Sequence, residues 1–158
     1  MSPMTPRQLE ERAPTLELIN AEITASIARQ ASSGRNLDTK AVLLIGYAGA
    51  AASFLATRHA QPVLAAFAYA AYAAAVAAGI WAAAVRVYQD VPEPRRLFTE
   101  YLARSRAETL AALAASRVDA FESNTSKQAR KATGWWISLG CLAVGMTLML
   151  FSLTSPYW

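Results

Sequence analysis

Residues 94–154 read PRRLFTEYLARSRAETLAALAASRVDAFESNTSKQARKATGWWISLGCLAVGMTLMLFSLT. The first part of this stretch is charged and amphipathic, whereas 132–154 holds no ionisable side chain except the Cys141 thiol. No proline follows Pro94 within it, and its only glycines are Gly134, Gly140 and Gly145. The pattern predicts a single helix over 94–154 that begins in water and ends in a membrane. At roughly 1.5 Å of rise per residue, 132–154 extends about 34 Å, enough to cross a hydrocarbon core of roughly 30 Å.

Composition points the same way. Of 158 residues, 54% are hydrophobic and 16% charged, against about 25% charged in an ordinary soluble domain. The formal net charge of +4 fits membrane topology and anionic lipid better than nucleic acid, and no nucleic-acid partner is expected. Cys141, the single cysteine, cannot form an intrachain disulfide and reads as a small packing residue.

Working back toward the N-terminus, 1–13 carries prolines without apolar periodicity and is predicted to be disordered. Residues 14–36 place Leu16, Ile19, Ile23 and Ile27 at helical spacing, which predicts an amphipathic cytosolic helix starting at Pro14 and ending at the Ser32-Ser33-Gly34 break. Its apolar stripe could lie on the bilayer surface, but the favoured expectation is that it packs on the second cytosolic helix, beside Leu102, Leu110, Leu113 and Phe121. Asp38 reads as the N-cap of a hairpin over 38–86. The first arm, 41–57, is charge-free over 17 residues, about 26 Å and short for a crossing taken alone. A turn, Arg58-His59-Ala60-Gln61, then leads to Pro62 and a second charge-free run over 63–85. The expected fold is therefore all-α, an integral membrane protein with three transmembrane helices and a short external tail, 155–158.

Fourteen of the fifteen Lys and Arg residues lie before residue 41 or between 86 and 131; only Arg58 lies in the hairpin turn. The excess of Lys and Arg in cytoplasmic loops puts the N-terminus and the long basic region inside the cell, with the turn and the C-terminus outside. Trp81, Trp135, Trp136, Tyr157 and Trp158 fall where interfacial aromatic side chains are expected.

Lipid supplies no hydrophobic drive between helices, so small residues that allow close backbone approach are the candidate packing positions. These are Gly46-x-x-x-Ala50 and Gly49-x-x-x-Ser53 in the first span and Ala75-x-x-x-Gly79 in the second. They serve packing inside one monomer, self-association into a homo-oligomer, or both.

Chemistry is sparse. His59 stands in the turn without Cys, Asp or Glu close in sequence, and no phosphate loop, nucleophile elbow or His/Cys cluster is present. No ionisable Asp, Glu, Lys, Arg or His falls inside a predicted span, which removes the usual marks of proton relays and coupled transport. The chain is expected to be no enzyme and to need no cofactor or metal. The candidate ligand-binding residues are Arg95, Arg96, Arg104, Arg106 and Arg117, which would make an anion site. Glu93, Glu100, Glu108, Asp119 and Glu122 are interspersed with them, so a solvated face of mixed charge is the favoured alternative.

The layout has a known counterpart. Leu37-Asp38-Thr39-Lys40-Ala41 leading into a two-span hairpin, an Arg-rich linker, Arg117-x-x-Ala120-Phe121-x-x-Asn124, and Lys131 just before a last span resemble the transmembrane effector modules of bacterial antiphage systems. The nearest are Pycsar-type effectors and SLATT-type domains. The resemblance covers the chain from about residue 15 and implies a cytoplasmic trigger, oligomerisation and disruption of the inner membrane by pore formation. In Pycsar effectors the trigger is a cyclic pyrimidine mononucleotide, which makes a cyclic nucleotide a candidate signal here. The matched motifs flank spans, so no sensor residue is carried over. The alternative is a non-enzymatic accessory membrane protein that scaffolds a cytosolic or membrane partner.

Overall fold

The computed structural model describes residues 5–84 and 104–155. The described residues form α-helices and no strand: α1 (Pro6–Glu11), α2 (Ala13–Ala56), α3 (Pro62–Ala83) and α4 (Arg106–Thr154). Helices α2, α3 and α4 are each long and apolar enough to cross a membrane.

Three boundaries differ from the sequence reading. The supposedly disordered start contains α1, with Pro6 at its first position and the Thr5 N–H donating to Gln8 Oε1 at 3.0 Å. Helix α2 runs unbroken through Ser32-Ser33-Gly34 to Ala56. Glycine in a helix interior costs only about 1 kcal/mol relative to alanine, and Gly34 is buried, so packing overrides the local signal. Asp38 consequently lies inside a helix and caps nothing. The long C-terminal helix begins at Arg106, not at residue 94, because Ser105 and Glu108 form a reciprocal cap. Ser105 N–H donates to Glu108 Oε2 at 3.1 Å, and Glu108 N–H donates to Ser105 Oγ at 3.3 Å. From there α4 is continuous through Gly134.

The chain divides into two compact units, Met1–Ser32 with Val87–Lys127, and Ser33–Arg86 with Gln128–Trp158. In the first, α2 and α4 run parallel, since Asn20 meets Leu110 and Arg117 while Gln30 meets Phe121 and Thr125. The seam here is polar. Asn20 Nδ2 donates to the carbonyls of Leu16 and Leu110 at 3.1 and 2.8 Å, and its Oδ1 accepts from Arg117 Nη1 at 2.9 Å. Gln30 Nε2 donates to Thr125 Oγ1 at 2.8 Å, and Asn124 is only 1% exposed. Of the apolar stripe read from sequence, Ile27 is buried, whereas Ile19 and Phe121 face outward.

In the second unit α2 and α4 are again parallel and α3 runs antiparallel between them, with Asp38 beside Lys131 at one end and Gln61 beside Ser152 at the other. Buried positions recur every seven residues: Gly34, Ala41, Ala48 and Leu55 on α2, and Lys131, Ser138, Gly145 and Ser152 on α4. That period keeps one seam of each helix facing its neighbour. The core is small-residue packing around Ala48, Leu55, Ala68, Tyr72, Ala75 and Met149. Gly145 is required by the Tyr72 ring, whose Cε1 would lie 2.6 Å from an added Cβ. The hairpin turn agrees with its sequence reading: Gln61 Oε1 accepts from the Leu64 N–H at 2.8 Å and Pro62 opens α3. Ser152 holds that turn, donating from Oγ to the Gln61 carbonyl at 3.1 Å and accepting the Gln61 N–H on its own carbonyl at 3.2 Å.

Candidate functional site

The five arginines are not gathered into one anion site among the described residues. Arg95 and Arg96 lie outside those residues. Arg104 is exposed just ahead of α4. Arg106 is exposed and pairs with Glu17. Arg117 is half-buried and spends its Nη1 on Asn20. Arg106 and Arg117 are eleven residues apart on one helix, about 16 Å along its axis, too far to grip one small ligand together. Among the described residues no group of three or more His, Cys, Asp or Glu side chains converges as a metal site would need, and His59 is exposed in the turn.

The six small-residue positions separate into two sets. Ala75 and Gly79 are used inside the chain: Ala75 is fully buried and its carbonyl accepts from Ser138 Oγ at 2.8 Å. A Cβ on Gly79 would stand 2.8 Å from Ile45 Cγ1 and 3.4 Å from Ser138 Oγ. Gly46, Gly49, Ala50 and Ser53 are exposed, and nothing lies within 4 Å of where a Cβ on Gly46 or Gly49 would be. Beside them opens a cleft of about 430 Å³ whose lining includes Gly49, Ala52, Tyr69, Ala73, Ala77 and Ile80. In the most apolar eighteen residues of each long helix only 22% are buried. Large side chains such as Val42, Phe54, Phe67, Ile80, Val144 and Phe151 stand exposed around the unit, a surface suited to lipid or to another apolar chain.

A charged layer closes one end of this unit. Lys131 is 2% exposed, and its Nζ lies 2.7 and 2.9 Å from the two carboxylate oxygens of Asp38. Lys40 Nζ stands 5.8 Å from the centroid of the Trp135 ring, and Trp136 meets Trp135 edge-on at 4.7 Å. Sequence reasoning took Asp38 for a helix cap, Trp135 and Trp136 for interfacial aromatic residues and Lys40 and Lys131 for flanks of spans, and did not pair them. The signal available was the seven-residue spacing Asn124, Lys131, Ser138, Gly145 and Ser152, which marks a seam once polar residues are admitted to it.

The first unit carries a separate cleft of about 260 Å³ lined by Glu22, Ile23, Ser26, Val118, Phe121 and Glu122. Its apolar floor is partly open to solvent, with Val118 and Phe121 both exposed.

Comparison with known proteins yields no matching family model, no similar curated protein and no similar solved structure.

Proposed function

We propose that this chain is a non-enzymatic membrane effector that self-associates through its spans and permeabilises the bacterial inner membrane on a cytoplasmic signal, as the resemblance to Pycsar-type and SLATT-type antiphage modules implies. The observation that carries this reading is the open face of α2. Gly46, Gly49, Ala50 and Ser53 are the residues by which membrane helices approach one another closely, yet no part of the monomer fills the space above Gly46 and Gly49. A second copy fills such a face with dispersion contacts that lipid tails supply less well. The distribution of Lys and Arg supports a cytoplasmic N-terminus and an external hairpin turn.

The same geometry provides a test that separates function from folding. A Cβ at Gly46 or Gly49 meets no atom within 4 Å, and the longer leucine side chain points onto the open face, so Gly46→Leu and Gly49→Leu are expected to fold and insert normally. Induced expression of the native chain, with and without cyclic pyrimidine mononucleotides, is expected to collapse the signal of a membrane-potential dye and arrest growth, and both leucine variants to abolish these effects. Undiminished potential and normal growth for the native chain under every nucleotide condition would count against the effector reading.

The alternative, an accessory protein that scaffolds a partner, is favoured by the acidic-rimmed apolar cleft at Phe121. It predicts a stable stoichiometric partner in a pull-down, lost on Phe121→Ala, together with no toxicity on expression.

A further inference from the structure

Within the second unit, the described residues hold a lopsided set of charges where the charge-free runs begin. Arg35, Lys40, Arg130 and Lys131 lie there, and Asp38 is the only carboxylate anywhere in 33–84 and 128–155. Lys131 takes both oxygens of that carboxylate, leaving an excess of positive charge at this level. Beside it the indole N–H of Trp135 is buried without an acceptor. An enclosed donor that gives up water and gains no acceptor is unfavourable, and the ammonium of Lys40 over the same ring has only donors to offer. An oxygen acceptor would satisfy this donor, and an anionic one would suit its positive surroundings. Exposed Trp136, packed edge-on against Trp135, belongs with the aromatic residues that sit at lipid headgroup level.

We propose that Lys40 and the indole N–H of Trp135 bind a phosphate oxyanion, and that its source is the headgroup of an anionic phospholipid, with Arg35 and Arg130 adding to the attracting field. In this site one phosphate oxygen accepts from the indole N–H while another pairs with the Lys40 ammonium, a compact charge on a flexible four-carbon stem. This assignment rests on the placement of the second unit in a bilayer and specifies the lipid chemistry it selects.

The full chain, assembled into nanodiscs of phosphatidylglycerol or of phosphatidylcholine and released for native mass spectrometry, tests it. One phosphatidylglycerol is expected to remain bound, with phosphatidylcholine retained about tenfold less well, because its choline cation offsets the phosphate charge and is repelled by Arg35, Lys40 and Arg130. Lys40→Gln and Trp135→Phe are each expected to lower phosphatidylglycerol retention several-fold, while Lys40→Arg keeps it; equal helicity by circular dichroism establishes that all variants are folded. Equal retention of the two lipids, or retention unaffected by Lys40→Gln and Trp135→Phe, overturns the site while leaving the bilayer placement intact. Displacement of the bound lipid by millimolar inorganic phosphate overturns the lipid as the natural source. A chain that does not enter nanodiscs of either lipid overturns the bilayer placement and the site with it.

Discussion

Lys131 and Asp38, 93 residues apart in sequence, form a two-point ion pair in which the ammonium is almost wholly enclosed and the carboxylate remains partly open. The asymmetry decides which partner is more costly to remove. Asp38→Asn takes from an enclosed ammonium the carboxylate it pairs with; removing one partner of a fully buried pair destabilises by about 3–5 kcal/mol, and the 37% exposure of the Asp38 side chain makes the cost smaller here. Lys131→Met leaves Asp38 able to turn toward water and adds apolar volume in the seam. The expected result, by thermal unfolding in detergent, is a distinctly lower Tm for Asp38→Asn than for Lys131→Met, with the double variant Asp38→Leu/Lys131→Met close to the native value.

Two glycines in helix interiors, Gly145 buried and Gly49 exposed, should respond oppositely to the same added methyl group. At Gly145 it would meet the Tyr72 ring at 2.6 Å, and at Gly49 it would meet nothing. Gly145→Ala is expected to destabilise by about 1–3 kcal/mol through overpacking. Gly49→Ala is expected to be neutral or slightly stabilising to the monomer, because alanine is the better helix former. Denaturation of the two variants side by side measures the difference.

Asn20 joins the helices of the first unit through donors to Leu16 and Leu110 and an acceptor for Arg117. Asn20→Leu strands the half-buried Arg117 guanidinium, whose Nε already has no partner. The expected loss is about 1–3 kcal/mol, seen as faster amide hydrogen exchange over 14–32 and 106–127. Arg117→Leu in the same background should recover part of that protection, since both polar partners are then gone.

Much of the architecture was legible in residue types alone. The charge-free runs after Pro62 and after Lys131 correspond to helices long and apolar enough to cross a membrane, because length without charge is a property of composition and needs no partner to interpret. The turn at 58–61 was equally plain, with Pro62 suited to a helix start, whereas the cap supplied by Gln61 was not foreseen. The break expected at Ser32-Ser33-Gly34 was not there, because a local preference of about 1 kcal/mol yields to a helix whose buried face continues past it. Asp38 was mistaken for a cap because its true partner lies on another helix. Asn20 and Gln30 were overlooked, and Asn124 was named only as part of a motif, because a search for apolar stripes ranks Ile19 and Phe121 above them, although those two face outward. The start at Arg106 was readable in Ser105-x-x-Glu108 and was hidden by the amphipathic run that precedes it. Among the packing positions, sequence could name Gly46, Gly49 and Gly79 alike, but only coordinates divide filled from open.

The membrane arrangement is tested most directly by cysteine accessibility in intact cells. With Cys141 changed to Ala, single cysteines are placed at the exposed positions Thr24, His59 and Ser126 and challenged with a membrane-impermeant maleimide before and after lysis. The account predicts labelling of His59→Cys from outside, and of Thr24→Cys and Ser126→Cys only after lysis. Labelling of Thr24→Cys or Ser126→Cys on intact cells, or release of the chain from membranes by alkaline carbonate, would contradict it.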